Sequence, residues 1–261
     1  MVEACLAGRD AGWKHFITDY LPFAQALLER HYPRLASRRE PLLREVLLRA
    51  RDQDSQFLRD YNGHSEREFL VHLREHVLRI LEEAEPAVPA PEIPVSWESF
   101  EQAFAGLTAV ERQVVWLHLL NPRSDDIALM LRADQPSVTA ILSRAQDQLR
   151  AAAAHWSADM LAQNRHLLAQ QARERPTKDC PRPQTFLRLL DGQNPWRDRS
   201  ESEQHLITCW FCIDRICRFR EVSRVARLTQ PLPETDAEAH ARAIGLTFAP
   251  PSRWKRLLGA R

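Results

Sequence analysis

Apolar side chains recur at helical spacing through Phe16–Leu28, Leu42–Ala50 and Phe69–Leu81, and no run of alternating Val, Ile or Thr reads as a strand. Each such stretch presents one oily stripe that can be buried only against another helix. Composition agrees. Glycine, which costs a helix backbone entropy, occurs 7 times in 261 residues, while Leu, Ala, Arg and Glu are abundant. The expected class is all-α, with two or three small domains rather than one large core.

Prolines set the boundaries, because each removes a backbone donor and blocks helix continuation. Pro86, Pro89, Pro91 and Pro94 follow the first helical block. The expected organisation is a helical domain over 1–85, a proline-rich linker over 86–97 and a second helical domain over 98–154. A helical linker over 155–177, a third helical block over 178–225 and a basic tail over 226–261 complete it. No internal repeat is visible.

The formal net charge is +1, so bulk electrostatics argue neither for nor against nucleic acid. No apolar stretch approaches the roughly 20 residues that a bilayer requires. Met1 to Asp10 lacks the basic start and apolar run of a secretory signal. A cytoplasmic protein is expected, with reduced cysteines that read as metal ligands where they cluster.

The second block is the most readable. Thr108-Ala109-Val110-Glu111 has the form of a capping box, and a helix carrying Val114, Val115, Leu117 and Leu120 follows, stopped near Asn121-Pro122. Ser124 caps a short helix with Ile127, Ala128 and Leu131 inward. After a turn at Arg132-Ala133-Asp134, Pro136 opens a third helix. It turns Val138, Ile141, Leu142, Ala145 and Leu149 inward, and Ser137, Thr139, Ser143, Arg144 and Arg150 outward. A short helix, a tight turn and a longer polar-faced helix make a helix-turn-helix, whose last helix can enter the major groove. A three-helix bundle used only for protein contact has the same pattern.

The string Leu107-Thr108-x-x-Glu111-Arg112-x-Val114, Ile127-Ala128-x-x-Leu131, Ser137-Val138 and Ser143-Arg144-Ala145-x-x-x-Leu149-Arg150 resembles region four of extracytoplasmic-function sigma factors. In that family the module reads promoter DNA. The resemblance implies DNA contacts from Gln135, Ser137, Thr139, Ser143, Arg144 and Arg150. Basic residues usual after the valine of the reading helix are here Thr139, Ala140 and Ile141. The first block then resembles region two, which in the family binds core RNA polymerase and melts DNA. Leu42 to Ala50 is similar to its second conserved helix, implying polymerase contacts from Leu42, Arg44, Glu45 and Leu48. Phe69-x-x-x-Leu73-Arg74 is similar to the start of its melting helix, although His72 stands where a Trp is usual. A generic helical bundle fits the same periodicity.

The third block carries the sharpest chemistry. Cys180 precedes His205-x-x-x-Cys209-x-x-Cys212. On one continuous helix the last three share a face, and Cys180 completes a four-ligand site. Cys217 points off that face, an outside candidate for redox exchange, and Cys5 is remote. With Pro181, Phe186-Leu187-x-Leu189-Leu190-Asp191-Gly192 and Leu206, the string resembles the zinc-binding anti-sigma domain, which implies bound Zn2+ and a clamp on the sigma-like part. Four protein ligands leave no place for a reacting water, and no catalytic residue is expected.

The leading expectation is a sigma-like protein that binds core RNA polymerase and promoter DNA and is restrained by intramolecular contact with its zinc stretch. The alternative is a sigma-like interaction protein that binds polymerase or another regulator without initiating. Trp254 among Arg253, Lys255 and Arg256 reads as a solvated basic end.

Overall fold

The computed structural model describes residues 1–51, 56–85, 94–120, 124–152, 156–193 and 196–248. Every regular element among them is helical and none is a strand, as the periodicity predicts. Parts of the linker over 86–97, the Asn121-Pro122 stop, the Ser124 side chain and the basic end Arg253–Arg256 lie outside the described residues. The chain divides into two compact units, 1–86 with 225–261, and 87–224.

The first unit opens with α1 (Val2–Leu6) and α2 (Asp10–His15), earlier than the start near Trp13 that the apolar pattern suggests. Gly12 permits their close approach, since a Cβ there would lie 2.7 Å from Ala4. A π-helical turn, Phe16–Tyr20, leads into α3 (Leu21–His31). A 3-10 turn, Pro33–Arg38, precedes α4 (Arg39–Arg51), followed by α5 (Gln56–Arg59) and α6 (Glu66–Ala84). The start of α6 is fixed by Ser65, whose Oγ accepts the Glu68 N–H at 3.2 Å. Phe69, Leu73, Val77 and Leu81 then turn inward at the predicted spacing.

The second unit begins with α7 (Trp97–Ala103) and α8 (Ala109–Leu120). Thr108 and Glu111 form the reciprocal capping box read from sequence, with both backbone N–H groups bonded, at 3.0 and 3.3 Å. Next come α9 (Ser124–Leu131) and α10 (Gln135–Ala152), which form the expected short-helix, turn, long-helix unit. The turn places Arg132 at φ 55°, a left-handed position more often given to glycine. Asp134 supplies the cap of α10, accepting the Ser137 N–H at 2.8 Å, so Pro136 is the second helical residue rather than the first.

The stretch expected as a helical linker folds as α11 (Ala158–Gln163) and α12 (Arg165–Arg173). It is pinned where buried Asn164 accepts the Val95 N–H at 3.1 Å. There follow α13 (Pro183–Leu190), α14 (Trp196–Leu206) and α15 (Trp210–Leu228). Gly192, at φ 70°, ends α13 in a Schellman arrangement, with Gln193 N–H on Arg188 O at 2.9 Å.

The stretch expected as a proline-broken tail carries one more helix, α16 (Glu234–Ala243), which belongs to the first unit. Ala237 and Ala241 are fully buried there. Leu232 N–H bonds Thr18 O in the π-helical turn at 2.9 Å, Lys14 pairs with Glu234, and Arg51 donates to Ile244 O. Two small residues one turn apart let α16 lie close to the bundle, a signal that hydrophobic periodicity does not register.

Candidate metal centre

Cys180, His205, Cys209 and Cys212 come together, their ligand atoms all within 4.8 Å of one another. The route to that convergence differs from the expected one. His205 is in the last turn of α14, the chain breaks through Ile207 and Thr208, and Cys209 precedes α15. Cys212 lies in the first turn of α15. The break costs little, because Cys209 N–H still bonds His205 O at 3.1 Å and Ile213 N–H bonds Cys209 O at 3.1 Å.

Cys180 is brought in by a separate turn, its N–H on Thr177 O at 3.1 Å. The Thr177 N–H donates to Cys180 Sγ at 3.1 Å and so orients the sulfur. Arg215 of α15 reaches back to Pro181 O at 3.1 Å and fastens the same turn. Across the site, Cys180 Sγ lies 3.7 Å from Cys209 Sγ, and His205 Nε2 lies 3.2 Å from Cys212 Sγ.

Bonding to Cys212 pulls the Cys209 thiol down to about 5, while the same contact pushes Cys212 up. Negative charge thus settles on Cys209 Sγ, beside the N-terminus of α15, where the helix dipole favours it. Three sulfurs and one imidazole nitrogen, partly withdrawn from water, fit a metal ion that takes soft ligands. Cys217 stands apart. It is 1% exposed, with its thiol raised by burial, the opposite of a reactive thiolate. Cys5 is buried in the first unit, and its thiol is pushed up to about 11 by the same cause.

Beyond its ligands, α15 is seated on the helix-turn-helix. Trp210 lies between two ligands in sequence, and its ring stands 5.5 Å from that of Trp116 and 4.9 Å from that of Phe100. The Arg112 guanidinium lies over Trp210 at 4.7 Å. Asp214, 0% exposed, accepts the Trp116 Nε1–H at 3.1 Å and pairs with Arg218 at 2.7 Å. Arg220 donates to Gln113 Oε1 at 2.9 Å and to Met130 O at 3.1 Å. Trp116 and Asp214 were not singled out from sequence. The available signal is an acid in the apolar first turns of an arginine-rich helix, with Arg218 one turn on.

The residues expected to touch DNA all lie on the outer side of α10. Gln135, Ser137, Thr139, Ser143, Arg144 and Arg150 are exposed. Several are engaged locally. Ser137 Oγ donates to Asp134 at 2.7 Å and Thr139 Oγ1 to Gln135 O at 3.0 Å. Arg144 pairs with Glu111 at 2.6 Å and Arg150 with Asp147 at 3.1 Å.

The four residues expected to touch polymerase are dispersed in burial. Leu42 is a core residue at 4% exposure, Leu48 is half-buried, Arg44 is exposed and Glu45 holds Arg49 at 2.7 Å. Phe69 sits inside a ring cluster 5.0 Å from Tyr20, and His72 Nε2 is 2.6 Å from Phe57 O. Comparisons with protein-family models, with curated proteins and with solved structures give no match to this chain. Among the described residues no helix is long and apolar enough to cross a membrane.

Proposed function

We propose that this chain is a sigma-like transcription protein of the extracytoplasmic-function kind, in which zinc holds α15 as a brace behind the helix-turn-helix. It would act in the cytoplasm on core RNA polymerase and promoter DNA. The observation that carries the reading is the two-sidedness of α8–α10. Their one side is seated on α15 through Trp116, Gln113 and Met130, while the polar side of α10 remains open to solvent. A reading helix whose supporting helices are fixed from behind, with its own outer side open to solvent, is what groove reading requires.

The choice of zinc rests on the donor set and its spacing. Two thiolates at about 2.3 Å from one ion in a tetrahedron stand about 3.8 Å apart, against 3.7 Å between Cys180 and Cys209. Zinc supplies no redox chemistry there. It would tie the Cys180 turn and the end of α14 to the start of α15.

The test uses the zinc-loaded full chain with core RNA polymerase and DNA from upstream of its own gene. Run-off transcription is expected, and Arg144→Ala with Ser143→Ala should reduce promoter binding about tenfold or more. Loss of core binding and of transcription together would sink the reading. A second reading, a sigma-like interaction protein that binds polymerase without initiating, is favoured by the enclosure of Phe57, Tyr61 and Phe69 in their own ring cluster. Those rings are not free to stack on unpaired bases. Core binding with no transcript would identify it.

A further inference from the structure

Two arginines stand on the outer side of α10, and their carboxylate partners differ in kind. Arg150 pairs at 3.1 Å with Asp147, three residues earlier, and both side chains lie open to water, at 71% and 69% exposure. Such a pair holds nothing in place, since neither end is fixed. Arg144 pairs at 2.6 Å with Glu111 of α8, whose side chain is only 18% exposed.

Glu111 is itself held from the other side. Its Oε2 accepts the Thr108 N–H at 3.0 Å and the Thr108 hydroxyl at 2.8 Å, while its Oε1 accepts from Nη2 of Arg144. One carboxylate therefore serves both a helix cap and a guanidinium. Only one of the five guanidinium N–H groups is spent on Glu111. The others belong to a side chain that is 63% exposed. Position along the helix says which part of a duplex such a group meets. Residues at the start of a reading helix reach base edges. Arg144 stands about two and a half turns into α10, so its fork meets the backbone at the edge of the groove, where a phosphate can accept two parallel bonds.

We propose that Glu111 is a positioning residue, which holds the Arg144 guanidinium in place for one backbone phosphate of duplex DNA. The inference rests on the groove-reading role of α10. A loose arginine surrenders its rotamers when it binds, and the pair with Glu111 makes that loss before DNA arrives. Glu111 also sets a negative charge close to the phosphate. If charge alone mattered, neutralising Glu111 would strengthen binding. If positioning matters, neutralising it weakens binding, so the sign of the effect separates the two.

The experiment is fluorescence anisotropy of the full metal-loaded chain on labelled duplex from upstream of its own gene and on an unrelated duplex of equal length, at about 0.1 M salt. The variant is Glu111→Gln, because glutamine also serves at this position of a capping box but brings no charge to Arg144. It should weaken both duplexes alike by about three- to tenfold, what immobilising one rotamer-rich side chain costs. The order parameter of the Arg144 Nε–H, measured without DNA, should fall in the same variant. With Arg144→Ala already in place, Glu111→Gln should no longer weaken binding. Thr108→Ala removes the cap hydroxyl and leaves the ion pair, so it should lower the melting temperature while changing affinity less than about twofold. An affinity loss that tracks melting temperature across these variants marks a merely structural role and overturns the inference. So does binding that Glu111→Gln leaves unchanged or strengthens, an effect confined to one duplex, an order parameter that does not move, or a loss that persists beside Arg144→Ala. If the parent itself binds neither duplex, the groove-reading role of α10 falls, and the inference falls with it.

Discussion

The two units are both built around a cluster of aromatic rings, but they close those clusters by different means. In the first, Phe16, Tyr20, Phe57, Tyr61 and Phe69 pack among themselves, four of them from helical turns and Tyr61 from the loop before α6. The last element added, α16, is fastened by buried Ala237 and Ala241, one backbone bond and polar pairs. In the second, Phe100, Phe104 and Trp116 receive their closing ring from Trp210, which lies between Cys209 and Cys212 of the candidate metal cluster. The second core therefore cannot be complete unless the metal segment is in place. An ion held by Cys180, His205, Cys209 and Cys212 would make its affinity and the stability of that core one free energy.

The largest effect that would break this comparison is removal of the metal. Chelation, or Cys209→Ser, should melt α14 and the start of α15 and deprotect amides of α8. Structural metal binding in small domains is worth on the order of 10 kcal/mol. Hydrogen exchange should leave α3 and α6 unchanged. Equal deprotection of both units would show that the contrast is false.

Next comes Asp214→Ala. It removes a fully buried carboxylate, one partner of Arg218 and the acceptor of the Trp116 N–H, which should cost about 3–5 kcal/mol by urea denaturation. A cost below about 1 kcal/mol would mean that α15 is held by its ligands alone.

Acid should sharpen the contrast from the other side. His76 of α6 is stacked on Phe57 at 4.2 Å, and burial holds its imidazole down to about 4. The unfolded chain takes up the proton first, near 6.5. The first unit should then lose stability as pH falls from about 6.5 to about 4, by up to ~3 kcal/mol, and keep it above that window. His76→Phe should flatten the profile of exchange from α4 and α6. The smallest effect is expected from Lys14→Ala, since its pair with Glu234 is exposed and screened by solvent. A much larger loss would mean that α16 is gripped by its charges rather than by Ala237, Ala241 and the Thr18 bond.

Helical class, the capping box at Thr108 and the inward rows of α6 and α10 were legible because they depend on residues within a turn or two of one another. The ligand set was legible for the same reason in part, since His205, Cys209 and Cys212 are close neighbours. The break between α14 and α15 was not, because it is stabilised by backbone bonds that any residues could make. Nor was the seating of α15, which joins Asp214 to Trp116 and Arg220 to Gln113 across long separations. Leu42 lies in the inward row with Val46, Leu47 and Ala50, as its helical spacing suggests, and the polymerase contact expected of it came from the family resemblance alone.

The bond from Leu232 to Thr18 has a consequence in time. During synthesis the first bundle leaves the ribosome long before the segment that covers it. At about 5–20 residues per second the interval is on the order of ten seconds. For that period the π-helical turn is bare, and whatever first meets the nascent chain meets a surface that the finished protein no longer offers.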